Sequence, residues 1–312
     1  MYLRPLAAAT AAFLGLALAL TGGTAPSAAA GARVAAPGTG AVRSAGPELD
    51  RLLGVPVLYA HRGASAYAPE NTLAAVDAAY ELGVDWVEND VQRTKDGQLV
   101  VIHDDTLTRT TDVKKVFPNR TSWKVGDFTA AEIARLDAGS WFGPEFAGAR
   151  VPTLRQYLDR VRSNEQRLLL EIKKPELYPG IERDTLRVLE QAGWLGEDTV
   201  RNRLVVQSFS ADCVRTVHSL RPDLITAFLG TPPVGDLARY AEFADRINPW
   251  HTTISAEWVA AVHGVRGAHG DTMRVDTWIV DDAALARKVQ AMGVDGIITN
   301  APDVVREAVG WF

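Results

Sequence analysis

The chain has 312 residues, 47% of them hydrophobic and 23% charged, with a net charge of −5 and one cysteine, Cys213. That acidic balance excludes the basic footprint of a nucleic-acid-binding protein and gives no attraction to an anionic membrane surface. A lone cysteine permits no internal disulfide, so a hydrophobic core must hold the fold by itself.

At the start of the chain, Arg4 precedes an apolar stretch from Leu6 to Leu20, and Ala28-Ala29-Ala30 follows. A short charged start, an apolar centre and a small-residue cleavage site read as a secretory signal peptide over residues 1–30. A membrane anchor would need about twenty apolar residues, and Thr10, Thr21 and Gly22-Gly23 interrupt this run. An uncleaved N-terminal anchor is the competing reading. Cleavage would leave a secreted chain with no stable membrane insertion, carrying 32 basic and 38 acidic side chains, a net charge of −6. Residues 31–50, rich in Ala, Gly, Pro and Ser, read as a disordered linker. Residues 51–312 then form one domain, of a length that suits a single α/β barrel.

The first strand signal, Val57–Ala60, runs into Ala60-His61-Arg62-Gly63 and then Pro69-Glu70-Asn71-Thr72. Asn71 reads as the N-cap of a helix over Asn71–Leu82. The second strand signal, Trp86–Val91, contains Glu88-Asn89-Asp90, whose two carboxylates are two residues apart and project from one face. Only six residues separate Gln92 from Leu99, and they include the tight-turn pair Asp96-Gly97. A parallel connection needs about a dozen residues, so Leu99–Ile102 should return antiparallel as a hairpin. A turn centred near Asp96 places His103 opposite Asn89 or Asp90, beside the carboxylate pair.

Further strand signals fall at Leu168–Lys173, Leu204–Ser208, Ile225–Leu229, Asp245–Asn248, Val275–Val280 and Gly296–Thr299, with the sixth strand resting on a barely three-residue apolar run. Helical stretches separate them: Glu176–Ala192, Ala211–Leu220, Pro233–Ala241, Ser255–Ala268 and Asp281–Met292, with Ala301–Val309 after the last strand. Repeated βα units with eight strands predict a TIM (β/α)8 barrel. Its irregular part is an insertion of about residues 105–151 after the second-strand hairpin, with one helical piece at Thr129–Leu136 and exposed-looking Trp123, Phe128, Trp141 and Phe142. Thr153-Leu154-Arg155-Gln156 reads as a capping box that opens the returning helix. An excursion placed after a barrel strand suggests that Asp112–Phe146 borders the pocket; a small packed subdomain is the bland alternative.

His-Arg-Gly with Pro-Glu-Asn-Thr, Glu-x-Asp, and His103-Asp104 followed by Thr106-Leu107-Thr108-Arg109-Thr110-Thr111 occur in that order. Glu171-Ile172-Lys173, Gln207-Ser208-Phe209, Trp278 and the run Gly293 to Asn300 follow. This ordered set closely resembles the glycerophosphodiester phosphodiesterase family, over nearly everything from Val57 to Val309. The resemblance implies hydrolysis of a glycerophosphodiester to sn-glycerol 3-phosphate and an alcohol, and assigns Glu88, Asp90 and Glu171 as metal ligands.

The residue chemistry agrees with that implication. Three carboxylates at the ends of neighbouring barrel strands repel one another unless a cation neutralises them, and all-oxygen ligation selects a hard ion such as Ca²⁺ or Mg²⁺. His61 and His103 suit an acid/base pair, since cleaving a phosphodiester needs one proton removed and another delivered. Which of them is the base stays open. Arg62 and Lys173 supply positive charge for phosphate oxygens. Trp278 is placed as an aromatic wall for the glycerol, with a packed core tryptophan as its competitor. Asn89 should point away from the metal. His218, His263 and His269 read as surface or satisfied residues, and Cys213 lacks a base that could activate it. Two further readings remain: a related phospholipase or sphingomyelinase-D-like barrel acting on intact lipids, and an inactive binding protein on the same fold. The second would be marked by loss of a histidine or carboxylate, and none is lost.

Overall fold

The computed structural model describes residues 54–310; the expected signal peptide and linker both lie outside them. Among the described residues nine strands form: β1 (Val57–Ala60), β2 (Trp86–Arg93), β3 (Leu99–Val101), β4 (Arg167–Ile172), β5 (Leu204–Ser208), β6 (Ile225–Leu229), β7 (Arg246–Asn248), β8 (Arg274–Thr277) and β9 (Gly296–Thr299). Eight of them run parallel in the order β1-β2-β4-β5-β6-β7-β8-β9, and β9 pairs back to β1 to close a barrel. This is the TIM barrel that the alternating pattern predicts. Each strand is short and largely buried, because the helices cover the outer face and side chains fill the inner one.

The remaining strand, β3, lies antiparallel on β2, with Val91 opposite Val101 and Arg93 opposite Leu99. Gly97 makes the turn at φ +81°, a conformation that favours glycine. The ladder continues where Ile102 N donates to Asp90 O at 2.9 Å, which places His103 at the level of Asn89. The hairpin and its register are therefore as the spacing predicts.

Alternation along each strand sorts the side chains. Tyr59, Trp86, Leu169, Val205, Ala227 and Ile298 pack together inside the barrel. Two larger clusters of buried residues line the strand–helix layer, one including Val87, Leu168 and Val206 and the other Ile247, Val275 and Ile297. At the N-terminal end of β7, Arg246 forms a buried ion pair with Asp276 at 2.8 Å.

The excursion has a core of its own. Leu107, Val113, Val125, Phe128, Ile133 and Leu136 are buried against Val100 and Ile102 of the hairpin arm. Phe128 is fully buried, contrary to its exposed-looking sequence setting, whereas Trp141 is exposed. The helix after the excursion, Leu154–Ser163, opens with the expected capping box between Thr153 and Gln156.

Candidate active site

Register brings the acidic residues together. Asp90 of β2 pairs laterally with Glu171 of β4, which pairs with Gln207 of β5, and Glu88 points inward two residues before Asp90. One oxygen from each of Glu88, Asp90 and Glu171 lies within 4.8 Å of the others, and all three side chains are buried. His61, Arg62, His103, Lys173 and Trp278 line the same cleft at the C-terminal ends of the strands, with Glu88, Glu171, Gln207 and Phe209. All eight residues singled out in the sequence thus converge at one place. Asn89 is buried and does not line the cleft.

The anionic cluster is held from several sides. The Arg62 backbone N–H donates to Glu88 Oε2 at 2.9 Å, and its side-chain Nε stands 3.3 Å from Asp90 Oδ2. Lys173 Nζ lies 2.7 Å from Glu171 Oε1 and 3.6 Å from Asp90 Oδ1. Burial, and then the neighbouring charges of Asp90 and Glu171, raise the Glu88 pKa well above the usual carboxylate range. Burial and Asp90 push Glu171 up to about 8. Asp90 is held low despite its burial, by Arg62 first and then Lys173. Raised pKa values at two of the three carboxyls mark the cost of ionising all three together, and a divalent cation among them would remove that cost. The donor set is all oxygen, buried and crowded, so it fits a hard divalent ion.

Each histidine is anchored through Nδ1. His61 Nδ1 meets Asn300 Oδ1 at 2.7 Å, and Asn300 is fixed in turn by its Nδ2–H donating to Asp281 at 2.7 Å. His103 Nδ1 meets Asp104 Oδ1 at 2.8 Å. Burial and the Arg62 charge lower the His61 pKa to about 4. Burial also lowers that of His103, with the Asp90 charge opposing it. Trp278 donates from Nε1 to Asn248 O at 2.8 Å and stands edge-on to Phe209 and Trp250. It is a wall of the cleft as well as a packed residue.

Several residues had no assigned role in the sequence or a different one. Asn71 is not the helix cap: Thr72 caps Leu73–Glu81 by accepting from Ala75 N. Asn71 sits at φ +60°, and its amide Nδ2 donates to Asp90 Oδ2 at 2.7 Å. Asn and Thr are both good caps, so local sequence could not separate them; a partner 19 residues away does. Gly63 closes the His-Arg-Gly turn at φ +79°, where a Cβ would meet the Ala75 carbonyl carbon at 2.5 Å. Asn300 directly follows the last strand, the same kind of position that drew attention to the other site residues. None of Asp112–Phe146 lines the cleft itself, and the segment approaches it only through Ala138, which shares a small adjoining cavity with Glu70, Asn71 and His103. Its side chains turn instead into their own core on the outer side of β3.

The remaining histidines stay outside the cleft. His263 meets Asp295 at 2.8 Å and His269 meets Asp245 at 2.9 Å, so both are satisfied by carboxylates distant in sequence. Burial pushes the Cys213 thiol upward, which leaves it unreactive.

The Glycerophosphoryl diester phosphodiesterase family matches residues 61–304. The chain belongs to this family. The YhdW protein of Bacillus subtilis (strain 168) is 39% identical over 253 residues, covering 80% of this chain and 96% of that protein. The glycerophosphodiester phosphodiesterase of the same organism is 34% identical over 269 residues, covering 82% and 85%. Among solved structures, an Oleispira antarctica phosphodiesterase in complex with the product sn-glycerol-3-phosphate superimposes with a TM-score of 0.70 at 28% identity, covering 82% of this chain and 97% of that one. The chain is accordingly a phosphoric diester hydrolase of the glycerophosphodiester phosphodiesterase type.

Proposed function

We propose that this glycerophosphodiester phosphodiesterase is exported, depends on Ca²⁺ or Mg²⁺, and releases sn-glycerol 3-phosphate and an alcohol. One observation carries the chemical part: a buried, mutually repelling carboxylate triad lies in one cleft with two histidines anchored through Nδ1. The ion, held by Glu88, Asp90 and Glu171, would supply charge stabilisation for the phosphoryl oxygens. Arg62 and Lys173 add fixed positive charge beside it. The product bound in the Oleispira antarctica structure supports a small glycerol phosphate as the retained half.

The two histidines differ in a way that supports separate roles. The amide oxygen of Asn300 can only accept, so His61 carries its proton on Nδ1 and leaves the Nε2 lone pair bare. Burial and the Arg62 charge lower its pKa to about 4, so His61 is neutral near pH 7 and its Nε2 is free to accept a proton. It would accept one from the attacking oxygen, of water or of the substrate's own glycerol 2-hydroxyl. His103 is backed by a carboxylate, which favours an imidazolium against the burial that lowers its pKa, so of the two it is the better donor to the departing alcohol oxygen.

The test is hydrolysis of glycerophosphocholine by chelator-stripped protein with Ca²⁺ or Mg²⁺ added back in turn. Turnover should vanish on stripping and return with one of the ions. Undiminished turnover after stripping would refute metal dependence, and absence of turnover under every condition would favour an inactive binding protein. Export rests on the first thirty residues; a secreted form beginning near Gly31 supports it, and an intact cell-bound chain contradicts it. Among the described residues no helix is long and apolar enough to cross a membrane.

A further inference from the structure

Away from the carboxylate triad, one side chain ties together the two halves of the cleft. Arg109 belongs to the first residues of the excursion, and its guanidinium lies between two acids from different loops. Its Nε and Nη2 donate to Asp104 at 2.7 and 2.9 Å, and its Nη1 and Nη2 donate to Glu70 at 2.7 and 2.8 Å. Beyond Asp104 stands His103, whose Nδ1 is 2.8 Å away. Beyond Glu70 stands Arg62, whose Nη1 donates to it at 2.9 Å. The chain of contacts thus runs His103–Asp104–Arg109–Glu70–Arg62.

An exposed ion pair contributes little, and Arg109 is 43% exposed. Two features set this pair of bridges apart from a solvated one. Both acids are gripped through both of their oxygens, a geometry that a planar fork with five N–H donors can make and an ammonium cannot. Glu70 is only 12% exposed, so it cannot turn to water when its partner is lost. Removing the guanidinium would leave two carboxylates facing each other with no cation between them, and their repulsion would draw His103 and Arg62 off position.

We infer that Arg109 is a positioning residue that fixes His103 and Arg62 together, coupling proton delivery to phosphate binding through the first turn of the excursion. This rests on the phosphodiesterase reading above. It also gives the excursion a link to catalysis that its own core does not supply.

The experiment compares Arg109→Gln, Asp104→Asn and Glu70→Gln, singly and in pairs with Arg109→Gln, on glycerophosphocholine and on a nitrophenyl ester of glycerol phosphate. Melting temperature and Mg²⁺ affinity are measured alongside. Arg109→Gln should lower kcat/KM by roughly a hundredfold, the scale of a small misplacement of reacting groups. The loss should fall on both kcat and KM, with Mg²⁺ affinity unchanged. Asp104→Asn should act on kcat, and Glu70→Gln mainly on KM. On the Arg109→Gln background each should cost less than about threefold more, because a shared partner makes the effects non-additive. The kcat loss of Arg109→Gln should shrink on the nitrophenyl ester to the same degree as that of His103→Ala. Additive losses, full activity in Arg109→Lys, or a wild-type Arg109→Gln would overturn the inference. If Arg109→Gln fails to fold, the same cycle run with Arg109→Lys decides between coupling and additivity. A wild-type enzyme that turns nothing over is a different result, and would sink the phosphodiesterase reading instead.

Discussion

At the scale of single residues, the site depends on what stands behind each functional group. His61 is backed by an amide and His103 by a carboxylate, and the proposed division into base and acid rests on that difference. His61→Ala and His103→Ala should each lower kcat by roughly a hundredfold or more, the usual range for general acid–base catalysis. A nitrophenyl ester, whose departing oxygen needs little protonation, should rescue His103→Ala alone. Equal rescue of both variants, or loss of metal affinity in either, would mean the roles are misassigned. Asn71 offers a second check, since its side chain holds Asp90 through Nδ2 and also accepts from the Asp90 backbone N–H at 3.3 Å. Asn71→Ala should weaken Mg²⁺ or Ca²⁺ binding by roughly tenfold to a hundredfold, the cost of losing a group that orients a ligand. Calorimetric titration of the stripped variant measures it, and unchanged affinity would remove Asn71 from the site. The carboxylates and histidines were legible in the sequence because they sit at strand ends in recognisable order. Their supports were not, because Asn71, Arg109 and Asn300 act through partners that only the closed barrel brings near.

At the scale of elements, period and spacing carried most of the fold. The β2–β3 connection is too short to be parallel, and β3 pairs as that length requires. The sixth barrel strand was the weakest signal, and Arg246–Asn248 is indeed only three residues long, held by pairing on both sides more than by its own composition. The excursion was misread for a physical reason. Aromatic residues between polar ones look exposed when no periodic element contains them, yet Phe128 packs against hairpin residues whose position the local sequence does not reveal. Phe128→Ala should therefore cost about 3 kcal/mol, the low end for emptying an aromatic core position. Denaturant unfolding checks this, with hydrogen exchange showing protection lost first in residues 105–151. A change under about 0.5 kcal/mol, the range of ordinary surface substitutions, would show that the satellite core is not consolidated.

At the scale of the whole molecule, the barrel crowds three buried carboxyls at one end, which links stability to pH and to metal. In the metal-free protein Glu171 has a folded-state pKa of about 8 against an ordinary 4.5. A carboxyl raised in this way adds no penalty below its unfolded pKa. It destabilises increasingly as pH rises between the two values, at up to about 1.4 kcal/mol per pH unit. The stabilisation given by saturating Mg²⁺ or Ca²⁺ should accordingly grow from pH 6 to pH 8, as protons cease to compete for the ligands. Melting curves with and without metal across that range report it, and a pH-independent increment would contradict the burial of Glu171 beside Asp90.

The central claim is that this triad holds the ion on which phosphodiester cleavage depends. Its most direct test follows metal occupancy and glycerophosphocholine turnover in the same titration of stripped protein, for wild type and for Glu171→Gln. In the wild type the two curves should coincide. Glu171→Gln should keep its melting temperature, because a crowded carboxyl is lost, and both curves should shift together to at least about tenfold higher metal. Turnover in the stripped wild type, or coincident wild-type and Glu171→Gln curves, would contradict the account.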